Sequence, residues 1–160
     1  MAAEVDALSR LTLLVEQSRA AAGREALAGA GVPRELTEAL PHAVTALRLR
    51  VRSSFAVQQL SSTLKALRNL CAGVEQAQDQ LADATGCEHL ASLLHALARA
   101  PDVPSRGTLL ALALQALGNA CVQHPRNQAA AWCAACHTLA GRRPLTNARA
   151  QVSRFSGRVR

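Results

Sequence analysis

Cys133-Ala-Ala-Cys136-His137 spells CxxCH, the spacing at which two thiols and an axial histidine take up a c-type haem. The same two cysteines join Cys121 and His124 in the pattern Cys-x2-His…Cys-x2-Cys, a four-ligand set for a closed tetrahedral zinc. Each has a plainer reading. Covalent haem belongs to exported proteins, whereas the opening MAAEVDALSR has early acids and no apolar stretch of secretory-signal length. Met1 is the only methionine. Cys121 recurs as Cys71, which has no matching histidine, and a residue that recurs is set by packing. The five cysteines therefore read as free thiols in a reducing compartment, acting as small buried apolar groups. No metal or cofactor is expected. The remaining histidines build no triad, the acids are scattered on polar faces, and no Gly-rich phosphate loop follows a strand. The chain reads as a non-enzyme.

The cysteine recurrence belongs to a longer one. Residues 64–78 read LKALRNLCAGVEQAQ and residues 114–128 read LQALGNACVQHPRNQ. They match at Leu64/Leu114, Ala66/Ala116, Leu67/Leu117, Asn69/Asn119, Cys71/Cys121 and Gln78/Gln128, at an offset of 50. A period of this size marks stacked helical repeats, and such stacks are surfaces for holding partners.

Composition agrees with that reading. Hydrophobic residues make up 49% but aromatics only 2%, so leucine and alanine must form the core. Strands favour β-branched and aromatic side chains. The expected fold class is all-α. No apolar run reaches membrane-spanning length. The net charge of +7 is uneven: Asp102 is the last acid, and residues 141–160 hold six arginines. Residues 1–140, with twelve basic and eleven acidic residues, read as one helical repeat domain. Residues 141–160 read as a disordered Arg-rich tail.

Apolar periodicity places helices along the first segment. One runs over 3–22 on Val5, Leu8, Leu11, Leu14 and Val15. Gly23, Gly29 and Gly31 loosen the stretch after it. Pro33 opens a helix with the stripe Leu36, Leu40, Val44, Leu47 and Val51, split or kinked at Pro41. Ser53 or Ser54 caps a longer helix to about Cys71, with Gly73 as its stop. Shorter helices cover 75–84, ended near Gly86, and 87–99. A two-proline loop spans 101–107. The helix over 107–122 is apolar nearly all round and is expected to be buried on most sides. The last helix covers 127–140 and carries Trp132. Short, medium, then long buried helix is the armadillo/HEAT order, nominally 40–47 residues, with the 99–107 loop as an insertion.

LRNLC at 67–71 with Gln78, followed by LALALQALGNACVQHPRNQAAAW at 110–132, resembles the N-terminal armadillo region of the ataxin-10 family. The likeness rests on helix endings in Leu-Arg-Asn and Leu-Gly-Asn, and on Asn127-Gln128 preceding Trp132. It implies a cytoplasmic, perinuclear scaffold, with centrosome or basal-body location. Implied processes are neuron survival, neurite growth and cytokinesis. Implied partners are an O-GlcNAc transferase, mitotic kinases and a G-protein β subunit. The family is longer than this chain, so the chain reads as a fragment or truncated form.

Partner-binding candidates are Lys65, Arg68, Asn69, Gln115, Asn119 and Trp132. In armadillo proteins of the nuclear-import type, asparagines at the ends of such helices hold a peptide backbone. A tryptophan stands one turn earlier. Here those earlier positions are Lys65 and Gln115, which favours Asn69 and Asn119 satisfying helix-end backbone groups instead. The alternative function is binding of nucleic acid or an anionic surface by the tail, which has only Phe155 for stacking. With two clear repeats and a partial one, the stack is expected to self-associate or to need a partner over Trp132.

Overall fold

The computed structural model describes residues 2–48 and 53–139, all built from α-helices and the turns between them. In order they are α1 (Ala2–Gln17), α2 (Ala21–Gly29), α3 (Val32–Glu38), α4 (Leu40–Arg48) and α5 (Ser54–Leu70). Then come α6 (Glu75–Asp83), α7 (Gly86–Ala98), α8 (Arg106–Cys121) and α9 (Pro125–Leu139). None of the described helices is long and apolar enough to cross a membrane.

Local chemistry sets the boundaries. Ser53 accepts the Ala56 N–H at 3.1 Å and caps α5. Gly73 then turns the chain at φ 75°. Fifty residues on, Gln123 makes the equivalent left-handed turn after α8, at φ 55°. Gly31 at φ 79° leads into α3, where Pro33 sits in the first turn with its missing N–H harmless. The expected division into two short helices is present but falls at Ala39: α3 stops at Glu38 and α4 starts at Leu40, with Pro41 in its first turn.

Three expectations are corrected. The first helix ends at Gln17, and the glycine-loosened stretch after it is itself a helix, α2, carrying Gly23. A Cβ at position 23 would meet the Gln17 carbonyl oxygen, so glycine here permits a close turn between helices rather than loosening one. Gly86 begins α7 instead of ending α6. Helix α8 is not buried on most sides: Gly107, Ala111, Leu114, Gln115 and Gly118 lie exposed along it. An all-round apolar helix has no polar face to announce which side is open. Val51, Phe155 and the 141–160 tail lie outside the described residues.

The helices pack in two principal rows. One runs α1, α5, α8, with α5 between the other two. The other runs α4, α7, α9, with α7 in the middle. Shorter α2 and α3 pack against α6. Leu11 and Leu14 of α1, Leu60, Leu64, Leu67 and Leu70 of α5, and Leu109, Ala113 and Ala116 of α8 join the core. Leu90, Leu93 and Leu97 come from α7. Each fully buried leucine contributes about 1.5–3 kcal/mol. Asp83 ties three helices by pairing with Arg34 of α3 at 3.4 Å and Arg126 of α9 at 2.8 Å.

Candidate binding groove

The polar side chains between the rows repeat as the sequence does. Asn119 donates to the Arg68 carbonyl at 2.7 Å. Asn69 donates to the Ser18 hydroxyl at 3.1 Å. Both bonds span 51 residues and step one helix back along α8, α5, α1. Gln78 and Gln128 each donate to the carbonyl seven residues earlier, Cys71 at 3.4 Å and Cys121 at 2.8 Å. Gln78 also reaches the Asn119 and Val122 carbonyls. Asn127, fully buried, donates to the Ala120 carbonyl at 2.9 Å and the Gln78 carbonyl at 3.1 Å. Apart from the Ser18 hydroxyl and the Gln78 carbonyl, the acceptors are carbonyls at the C-terminal ends of α5 and α8, which helix ends leave open. Asn69 and Asn119 each give one side-chain hydrogen bond to the protein itself.

A groove of about 590 Å³ runs between α1 and α5. Its walls are largely polar and their charges mostly basic: Arg19, Arg24, Lys65 and Arg68 line it with Glu16 as the single acid, beside Ser61 and Asn69. Glu16 pairs with Arg19 at 3.0 Å. The Arg68 guanidinium donates to Asn69 Oδ1 at 2.9 and 3.1 Å and to Gln115 Oε1 at 3.3 Å, so among the described residues neutral amides hold it and no carboxylate pairs with it. Arg24 donates to the Arg19 carbonyl at 3.0 Å, which packs a second guanidinium against the same wall.

The candidates divide on this geometry. Lys65, Arg68 and Asn69 line the groove, and Gln115 and Asn119 join it through Arg68. Trp132 lies apart, exposed on α9. The sequence reading missed Arg19 and Arg24. They sit outside the repeated segment, and only the packing of α1 on α5 brings them in.

The residues of the zinc pattern are divided between the end of α8 and α9. Cys133 and Cys136 are exposed on α9. His124 is buried, with Nε2 3.1 Å from Asp79 Oδ1 and Nδ1 accepting the Asn127 N–H at 3.2 Å. It thus serves as a cap at the start of α9. Cys121 is half-buried at the end of α8. Among the described residues no three histidine, cysteine, aspartate or glutamate side chains gather as a metal site. Burial, with a smaller push from Cys121, raises Cys71 to about 12. Cys87 and Cys121 are also raised, burial being the main cause in each.

No family model, curated protein or solved structure matches this chain.

Proposed function

We propose that the chain is a non-enzymatic, protein-binding scaffold of the armadillo type that holds an acidic segment of a partner in the α1/α5 groove. The groove carries the reading: four cationic side chains face one acid there, and among the described residues the Arg68 guanidinium is held by neutral amides. A carboxylate entering beside Arg68 gains charge-assisted, bidentate hydrogen bonds without displacing an existing ion pair. The armadillo assignment is supported by the order α6, α7, α8 and by cross-helix bonds that recur at equal spacing. On this reading the ataxin-10 resemblance extends to a cytoplasmic adaptor serving a transferase, a kinase or a G-protein subunit.

A fluorescein-labelled Asp/Glu-rich peptide is the probe. It should bind the full chain, and the double change Lys65→Glu, Arg68→Glu should weaken binding at least about tenfold, some 1.4 kcal/mol. Binding untouched by that change, yet lost on removing residues 141–160, would transfer the function to the tail.

A further inference from the structure

Large exposed apolar side chains are confined to the terminal members of the rows. Val5 and Leu13 lie on α1, Leu114 on α8, Val122 just after it, and Trp132 on α9. Helices α2 to α7 carry no such residue among those described.

Repeat-equivalent positions explain the pattern. Leu14, Leu64 and Leu114 stand 50 residues apart on α1, α5 and α8, with exposures of 8%, 0% and 57%. Among the described residues, helices α1 and α5 each have a helix after them in the row, and α8 has none. At the neighbouring position the order reverses. Leu13 is 57% exposed, whereas Thr63 is 6% and Ala113 is 0% exposed. Among the described residues, helices α5 and α8 each have a helix before them, and α1 has none. The row therefore ends in two different open faces: a leading one on α1 and a trailing one on α8. Each lacks the neighbour that the other supplies.

Charge follows the same polarity. Residues 2–38 hold six acids against four arginines. Among the described residues of 106–139 there are two arginines, Arg106 and Arg126, and no acid.

We infer that the chain stacks on copies of itself head to tail, the outer face of α1 in one copy seating on the outer face of α8 in the next. The contact would continue the α1, α5, α8 order across the boundary, and acidic and basic ends would meet. A heterologous contact of this kind does not close on itself, so assembly grows with concentration instead of stopping at two. The inference rests on the repeat-stack reading above and not on what the groove binds.

The test is sedimentation of the full 160-residue chain and three variants, each checked for helical content. Leu13→Glu blocks the leading face and Leu114→Glu the trailing face, with Gly118→Arg as a second trailing-face block. A Cβ at Gly118 meets nothing, so that change tests the face without disturbing the fold. The wild type should pass beyond dimer mass from low micromolar to a few hundred micromolar. Each variant alone should be monomeric. Mixed in equal amounts, Leu13→Glu and Leu114→Glu should give a dimer that grows no further, since one keeps only its trailing face and the other only its leading face. A monomeric wild type, a Leu13→Glu variant that still pairs with itself, or a mixture that stays monomeric would each overturn the inference. Peptide binding measured on the monomeric variants reports on the groove independently.

Discussion

At the scale of single residues, buried amides and thiols do the organising. Asn127 is fully buried and serves two carbonyls from two other helices. Asn127→Ala removes both bonds and strands both acceptors, so the loss should be about 2–3 kcal/mol. A urea midpoint unchanged from wild type would show that those carbonyls find other donors. The thiols make an alkaline prediction. Cys71 rises from 9.0 to about 12 on folding, and Cys87 and Cys121 rise with it. The fold holds them neutral, while the unfolded chain releases their protons. Their stabilising contribution is therefore complete below pH 9.0 and is lost as pH rises toward 12. Cys71 should contribute a slope of about 1.4 kcal/mol per pH unit in that window. Unfolding curves above pH 9.0 should steepen in this way for the wild type and flatten for Cys71→Val; equal slopes would refute the assignment.

At the scale of helices, two glycines give predictions of opposite sign. Gly118 lies mid-helix in α8, where an added Cβ meets nothing. Gly118→Ala should stabilise the monomer by about 1 kcal/mol, the helix-propensity difference. Gly86 starts α7 hard against α6. A Cβ there would lie 2.4 Å from Leu81 Cγ and 2.9 Å from the Leu81 carbonyl oxygen. Gly86→Ala must push backbone aside and should destabilise, as thermal unfolding of the two variants side by side will read. Gly86 also illustrates what was legible beforehand. Helix periodicity, Ser53, Pro33 and the break near Pro41 placed most elements from local chemistry alone. Whether a glycine ends one helix or opens the next depends on Leu81, a contact that no local pattern encodes. The groove was legible in part for the same reason. Lys65, Arg68 and Asn69 stand out because they fall in the repeated segment. Arg19 and Arg24 do not repeat, and only the packing of α1 on α5 brings them to the same wall. The open face of α8 was misread because leucine and glycine there look like core residues until the missing neighbour is seen.

At the scale of the whole molecule, the rows set two surfaces apart. The groove opens between α1 and α5, inside the row. The open faces lie at its ends, on Leu13 and Leu114. A stack of copies would set successive grooves side by side, so a partner with several acidic segments would gain avidity from assembly without any new contact. That geometry predicts a separation of effects. Lys65→Glu, Arg68→Glu should weaken a single acidic peptide about tenfold or more while leaving the sedimentation profile of the chain unchanged. Leu114→Glu should do the reverse: monomeric mass, with single-peptide affinity within about twofold of wild type. A tandem peptide with two acidic segments should discriminate further, since it binds the wild type more tightly than the single peptide but loses that gain on Leu114→Glu. If both changes instead moved affinity and mass together, the groove and the stacking face would be one surface, and the division into an interior site and open ends would fall.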